Sequence, residues 1–150
     1  MASSIDENLS LNSYVMDTFH IEKKDIRTYS PLTLAYIGDG IFDLIIRSIV
    51  VGEGNTSANQ LHRHTSHIVK AHSQAVMAEA IMMDLTEEEQ DVYRRGRNAK
   101  SHTTAKNASV SDYRSATGFE AVMGYLYMTD QMDRIVSLCK LAIEKSGLKM

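Results

Sequence analysis

A chain of 150 residues with one proline, one cysteine and a formal net charge of −3 is long enough to bury one sizeable core, leaves no room for a second domain, and cannot form an internal disulfide. The acidic balance is not that of a dedicated nucleic-acid binder. The opening MASSIDENLS has neither a basic stretch nor an apolar signal core, and the apolar segment Leu32–Val51 is broken by Asp39, Asp43, Arg47 and two glycines, so neither secretion nor a membrane span is expected and the cytoplasm is the default compartment.

Apolar residues recur at helical spacing with few alternating β-branched runs, which predicts an all-α fold. Residues 1–27 read as an N-terminal extension. Ser30-Pro31 opens the first strong helix, because serine caps free amides and the fixed φ of proline suits the first helical position; Gly52 is expected to close it. This helix is apolar nearly all round (Leu34, Ile37, Ile41, Phe42, Leu44, Ile45, Ile46, Ile49), so it should be covered on more than one side, most simply by dimerisation. Gly38 and Gly40 each cost about 1 kcal/mol relative to alanine in mid-helix. Close approach of another backbone is the simplest reason for them, and with Ile41 they mark the expected dimer interface.

A second helical stretch, with room for a break, runs from about 57 to 83, with Leu61, Ile68, Val69, Ala75, Val76, Ala80 and Ile81 on its apolar face. It carries His62, His64, His67 and His72. No second cluster of Cys or His supplies a zinc spacing, so these read as solvated or core histidines, with RNA contact the alternative. Thr86 and Glu89 form a capping-box pattern, opening a helix with acids first and Arg94, Arg95 and Arg97 last, in accord with the helix dipole, and ending near Gly96–Asn98. From Arg97 to Ser111 the sequence is polar and reads as a loop unusually long for a compact all-α domain, hence functional or mobile. The helix of Glu120 follows, its Met123, Tyr125, Tyr127 and Met128 reading as core or interface. A last helix is expected from an Asp130 cap to a Gly147 stop, with Cys139 as a free buried thiol.

Two carboxylates stand in mid-run on apolar helices, Asp39 and Glu120. An ionised acid on such a surface is costly to bury unless a cation or hydrogen-bond donors meet it. Asp43, four residues after Asp39, shares its helical face. A Mg²⁺ ion takes few protein carboxylates, keeps several waters and uses substrate phosphate for its remaining positions, which suits phosphodiester hydrolysis. The alternative is that each acid pairs with Arg47, Arg63 or Arg114. Arg95, Arg97 and Lys100 in the RGRNAK segment either form a solvated helix end or grip phosphates, with Asn98, Ser101, Thr103 and Thr104 placed to bond ribose hydroxyls. There is no P-loop, no GxGxxG and no His-Asp dipeptide.

Three stretches, PLTLAYIGDGIFDLIIR (31–47), RGRNAKS (95–101) and YRSATGFEAVMGYLY (113–127), resemble in order the characteristic segments of the Mini-ribonuclease III family, the likeness covering about residues 28–145. The resemblance implies a helical ribonuclease III endonuclease domain that dimerises through its signature helix, binds Mg²⁺ with Mn²⁺ able to substitute, and cleaves double-stranded RNA, the usual substrate being precursor large-subunit ribosomal RNA. Asp39 matches the signature aspartate and Glu120 the metal-binding glutamate, while Asp43 stands where the family usually has glutamate. Compared with full-length ribonuclease III, acidic positions are Leu32, Ala35 and Thr117 here, as in the short family generally, and Gly40 replaces the usual alanine or serine. With no double-stranded-RNA-binding domain in these residues, grip on RNA is expected from the dimer surface, the basic segment or a protein partner such as a ribosomal protein. The resulting reading is a homodimeric Mg²⁺-dependent ribonuclease. Its alternatives are a non-catalytic RNA-binding or ribosome-assembly scaffold of the same fold, and a dimeric all-α interaction module with no RNA role.

Overall fold

The computed structural model describes residues 10–99 and 109–150. Among these the chain is all-α, with seven α-helices, two 3₁₀ turns and no strand. In order they are α1 (Leu11–Thr18), a 3₁₀ turn (Ile26–Thr28), α2 (Pro31–Glu53), α3 (Ala58–Val69), α4 (Ala71–Ile81), a second 3₁₀ turn (Met82–Asp84), α5 (Glu87–Asn98), α6 (Val110–Met128) and α7 (Met132–Ser146).

Local chemistry sets most of these boundaries. Ser30 Oγ accepts the Thr33 amide at 3.2 Å with Pro31 in the first turn, so α2 begins where its cap predicts. It ends slightly later than expected: Gly52 is still helical, and Gly54, at φ 153°, closes it in a conformation that favours glycine. The capping box of α5 is complete, with the Glu89 amide on Thr86 Oγ1 at 3.1 Å and the Thr86 amide on Glu89 Oε1 at 2.9 Å. Glu89 also receives Arg134 at 2.8 and 2.9 Å. Burial pushes its carboxyl up, but the bonds from Arg134 and Thr86 outweigh it and hold the group below its ordinary range.

Contrary to the expectation from sequence, Asp130 does not cap α7. It lies at φ 61°, and its carboxylate turns instead to α1, accepting Ser13 Oγ at 2.8 Å and Lys23 Nζ at 2.7 Å as well as the Ser10 hydroxyl. Helix α1 itself was not visible in the sequence pattern, because it buries Asn12 and Ser13 while Leu11 and Tyr14 face solvent.

The centre of the fold is the crossing of α2 and α6. A Cβ on Gly38 would overlap the carbonyl oxygen of Glu120, and one on Gly124 would overlap the carbonyl oxygen of Leu34. The two backbones therefore touch, which only glycine permits. Around this contact the core packs Phe42 and Ile46 of α2 against Phe119, Val122, Met123 and Leu126 of α6, with Met77, Ile81, Ile135 and Leu138 from α4 and α7. The Phe42 and Phe119 rings meet edge to face with centroids 5.1 Å apart. Cys139 is buried there, and burial pushes its thiol up to about 12.

Helices α3 and α4 form an elbow at Lys70, whose ψ of 155° breaks what would otherwise be one helix. Two buried side chains of α4 satisfy carbonyls left open at the end of α3: Ser73 Oγ donates to His67 O at 2.6 Å and Gln74 Nε2 to Val69 O at 3.1 Å. No helix among the described residues is long and apolar enough to cross a membrane.

Candidate metal centre

The crossing of α2 and α6 builds the site. Gly38 sits against the main chain of Glu120, so Asp39, the next residue of α2, is carried to the side chain of Glu120 on α6. The two carboxyl groups line one cleft, near enough for Asp39 to act on the charge of Glu120. Asp39 stands at the open edge and Glu120 is half-buried behind it. Burial first, and then the hydrogen bond and charge of Asp39, push the Glu120 carboxyl up to about 9, while a hydrogen bond from Gln74 opposes the rise. At neutral pH in the metal-free protein Glu120 therefore holds its proton.

Both acids line a cleft of about 340 Å³ whose other walls are Leu32, Ala35, Tyr36, Tyr113 and Thr117. The Thr117 hydroxyl in this wall is turned to the Tyr113 carbonyl at 2.9 Å. Among the described residues, no Lys, Arg or His forms an ion pair with Asp39 or Glu120. Asp43 differs. It is held by Arg47 at 2.6 Å, the ion-pair alternative raised by the sequence, and no group of three potential ligands gathers among the described residues. Two carboxylates brought together in an open cleft, with no cationic partner among the described residues, are a donor set that fits a hard divalent ion retaining several waters.

The basic end of α5 is docked onto the same stretch of α6. A Cβ on Gly96 would lie 2.9 Å from Ala121 Cβ, 3.0 Å from Gly118 Cα and 3.3 Å from the Thr117 oxygen, so the turn bearing Arg95, Arg97 and Asn98 is held close to the segment that carries Glu120. Arg95 and Arg97 are exposed and make no ion pair with a described residue, whereas Arg94 is taken by Asp91. Lys100, Ser101, Thr103 and Thr104 lie outside the described residues.

Of the three residues expected at a dimer interface, Gly38 packs within the chain against α6 and Ile41 is buried in the core, leaving only Gly40 on an open face. The close backbone approach inferred from the glycines is real, but for Gly38 the other backbone is the chain's own α6. His62, His64 and His67 are exposed on α3, and His72 Nδ1 lies 2.8 Å from Asp112 Oδ2. Gln74 escaped notice in the sequence, although a lone amide within the apolar run of α4 was a signal that it has a buried partner.

Residues 32–131 match the ribonuclease III domain family, which defines the class of the protein as a nuclease of the ribonuclease III type. The chain belongs to that family and is an endoribonuclease. The relatives it resembles along most of its length are Mini-ribonuclease 3 proteins: that of Enterococcus faecalis is 48% identical, covering 83% of this chain and 96% of the relative, and that of a Thermoanaerobacter species 42%, covering 90% and 95%. A crystal structure of a Fusobacterium nucleatum protein superposes with a TM-score of 0.74 at 31% identity, covering 81% of this chain and 98% of that one.

Proposed function

We propose that this endoribonuclease is a Mg²⁺-dependent homodimer that cleaves both strands of double-stranded RNA, with precursor large-subunit ribosomal RNA as its substrate. The observation that carries the reading is the Asp39–Glu120 pair, two carboxyls on one open cleft that form no ion pair with a cationic side chain among the described residues. A divalent ion held by these two groups would offset charge on a phosphodiester and supply a nucleophilic water at neutral pH. For that, the proton on Glu120 has to leave. Arg95 and Arg97 supply phosphate contacts beside the cleft, joined in this reading by Lys100 and by hydrogen bonds from Asn98, Ser101, Thr103 and Thr104 to ribose. An A-form duplex is then gripped by backbone shape and 2′-hydroxyls rather than by base edges, since its deep major groove is closed to side chains.

The dimer rests on the outer face of α2. Leu32, Tyr36, Gly40 and Leu44 recur every four residues along it, and Tyr36 is 82% exposed, an apolar stripe that a second copy of the same helix would cover. Leu32 and Tyr36 also wall the cleft, so the partner would complete the surroundings of each site and the two sites would address opposite strands. The test is to incubate the pure protein with structured precursor ribosomal RNA in Mg²⁺ and in EDTA. Discrete products in Mg²⁺ alone are expected; RNA bound but uncut under both conditions would leave the scaffold reading in place.

A further inference from the structure

We propose that His72, held by Asp112, is a ribose contact, its Nε2 accepting a 2′-hydroxyl of the RNA strand on the flank of the metal cleft that faces away from α5. The inference rests on double-stranded RNA as the substrate. Both partners stand on fixed backbone. His72 Nδ1 lies 2.8 Å from Asp112 Oδ2, and Asp112 is in the first turn of α6, its own amide held by Ser109 Oγ at 2.9 Å. His72 opens α4 beside the buried Ser73 and Gln74, whose bonds to the His67 and Val69 carbonyls seat this turn on α3. Asp112 precedes Glu120 by two turns, about 12 Å along the axis of α6, and lies about 80° round from it. Gly118, against which Tyr93 of α5 packs, lies about 160° round on the other side. The acid of the cleft is thus flanked by α5 in one direction round the helix and by His72 in the other.

The chemistry of the pair selects its ligand. A carboxylate only accepts, so the Nδ1 that meets it carries the hydrogen, and the uncharged ring is left with a lone pair at Nε2. The His72 side chain is 68% exposed and no described residue bonds its Nε2, so that lone pair is open to an incoming donor. Phosphate oxygens accept only, whereas the ribose 2′-hydroxyl is a donor that every nucleotide of an RNA duplex presents. Arg95 and Arg97 are the converse, donors without acceptors and suited to phosphate. An ion pair as exposed as His72 with Asp112 contributes little to folding stability, which leaves the orientation of the ring as its main consequence.

The test is a scan of RNA duplexes that carry one 2′-deoxy nucleotide at each position in turn, bound at pH 8 by the full chain in an Asp39→Asn background so that the strands stay uncut. One ribose in each strand should weaken binding by about fivefold when its hydroxyl is removed, the size of one hydrogen bond. In His72→Leu that position should become silent and the unmodified duplex should bind about fivefold more weakly, with the log–log salt slope unchanged because no phosphate contact is lost. Asp112→Ala should reproduce His72→Leu, and the double variant should lose no more than either. Should His72→Leu fail to fold by circular dichroism, His72→Ala is read in its place. A deoxy penalty that persists without His72, or full affinity in Asp112→Ala, overturns the inference. So does a salt slope lower by about 0.9 in His72→Leu, which would make the ring a charged partner of phosphate. A parent protein that binds no RNA duplex removes the substrate reading itself, an outcome distinct from these.

Discussion

At the scale of single residues, the pairing of Asp39 with Glu120 sets what the site does with pH. Glu120 holds its proton up to about 9 in the folded chain against 4.5 in the unfolded one. Its contribution to stability is therefore fully present below 4.5 and is lost progressively as pH rises through 9. Metal-free protein should melt at a higher temperature at pH 6 than at pH 9, and Glu120→Gln, which imitates the protonated acid, should remove much of that difference in a calorimetric series. Because a cation has to displace the proton, divalent-ion affinity should rise by up to about tenfold per pH unit below 9. Asp39→Asn or Glu120→Gln should lower the rate of RNA cleavage by about a thousandfold, corresponding to loss of several kcal/mol of metal stabilisation, while the circular dichroism spectrum and RNA affinity stay near wild type. Cleavage at a near-normal rate in either variant would place the reaction elsewhere. The two acids were legible in the sequence because each interrupts an apolar helical run. Their meeting was not, since it depends on tertiary packing, and Asp43 shows the limit: the same spacing argument that grouped it with Asp39 could not tell a ligand from the partner of Arg47.

Among the elements, those whose ends are fixed by neighbours in sequence were the readable ones. Ser30-Pro31, Thr86 with Glu89, and Gly147 at φ 75° all act through bonds or conformations within a turn. Where a boundary is decided from a distance, sequence misleads: Asp130 looks like a cap but serves Ser13 and Lys23, and α1 turns its polar side inward to meet it. The two mid-helix glycines of α2 looked alike in the sequence and differ in the fold. Gly38→Ala would drive a methyl into the Glu120 carbonyl and should cost about 3 kcal/mol or unfold the chain. Gly40→Ala meets nothing within 4 Å in the chain and should raise the stability of the isolated subunit by about 1 kcal/mol, as read in urea titrations. For α5, replacing Arg95, Arg97 and Lys100 together by alanine in an Asp39→Asn background should flatten the salt dependence of RNA binding, the log–log slope falling by about 0.9 for each phosphate that is no longer neutralised. An unchanged slope would make the basic end a solvated one.

For the molecule as a whole, α6 covers one side of the apolar circumference of α2, and the stripe Leu32, Tyr36, Gly40 and Leu44 is left outside. Ile41 and Leu44 separate the two. Ile41→Glu places a charge in the core and should abolish the helical signal, whereas Leu44→Glu, at a side chain 49% exposed, should yield a folded protein of half the mass by light scattering. An unaltered mass for Leu44→Glu would move the interface off this face. The contact of main chain with main chain at Gly38 and Gly124 bears on how such a protein withstands change over generations. The gap between its two acids is gauged by peptide groups, which every substitution leaves in place, and not by the interlocking of Phe42, Phe119 or Met77. Drift in the oily interior can therefore soften the bundle while the spacing of the acids is handed on intact, so long as two hydrogen atoms remain where side chains would be.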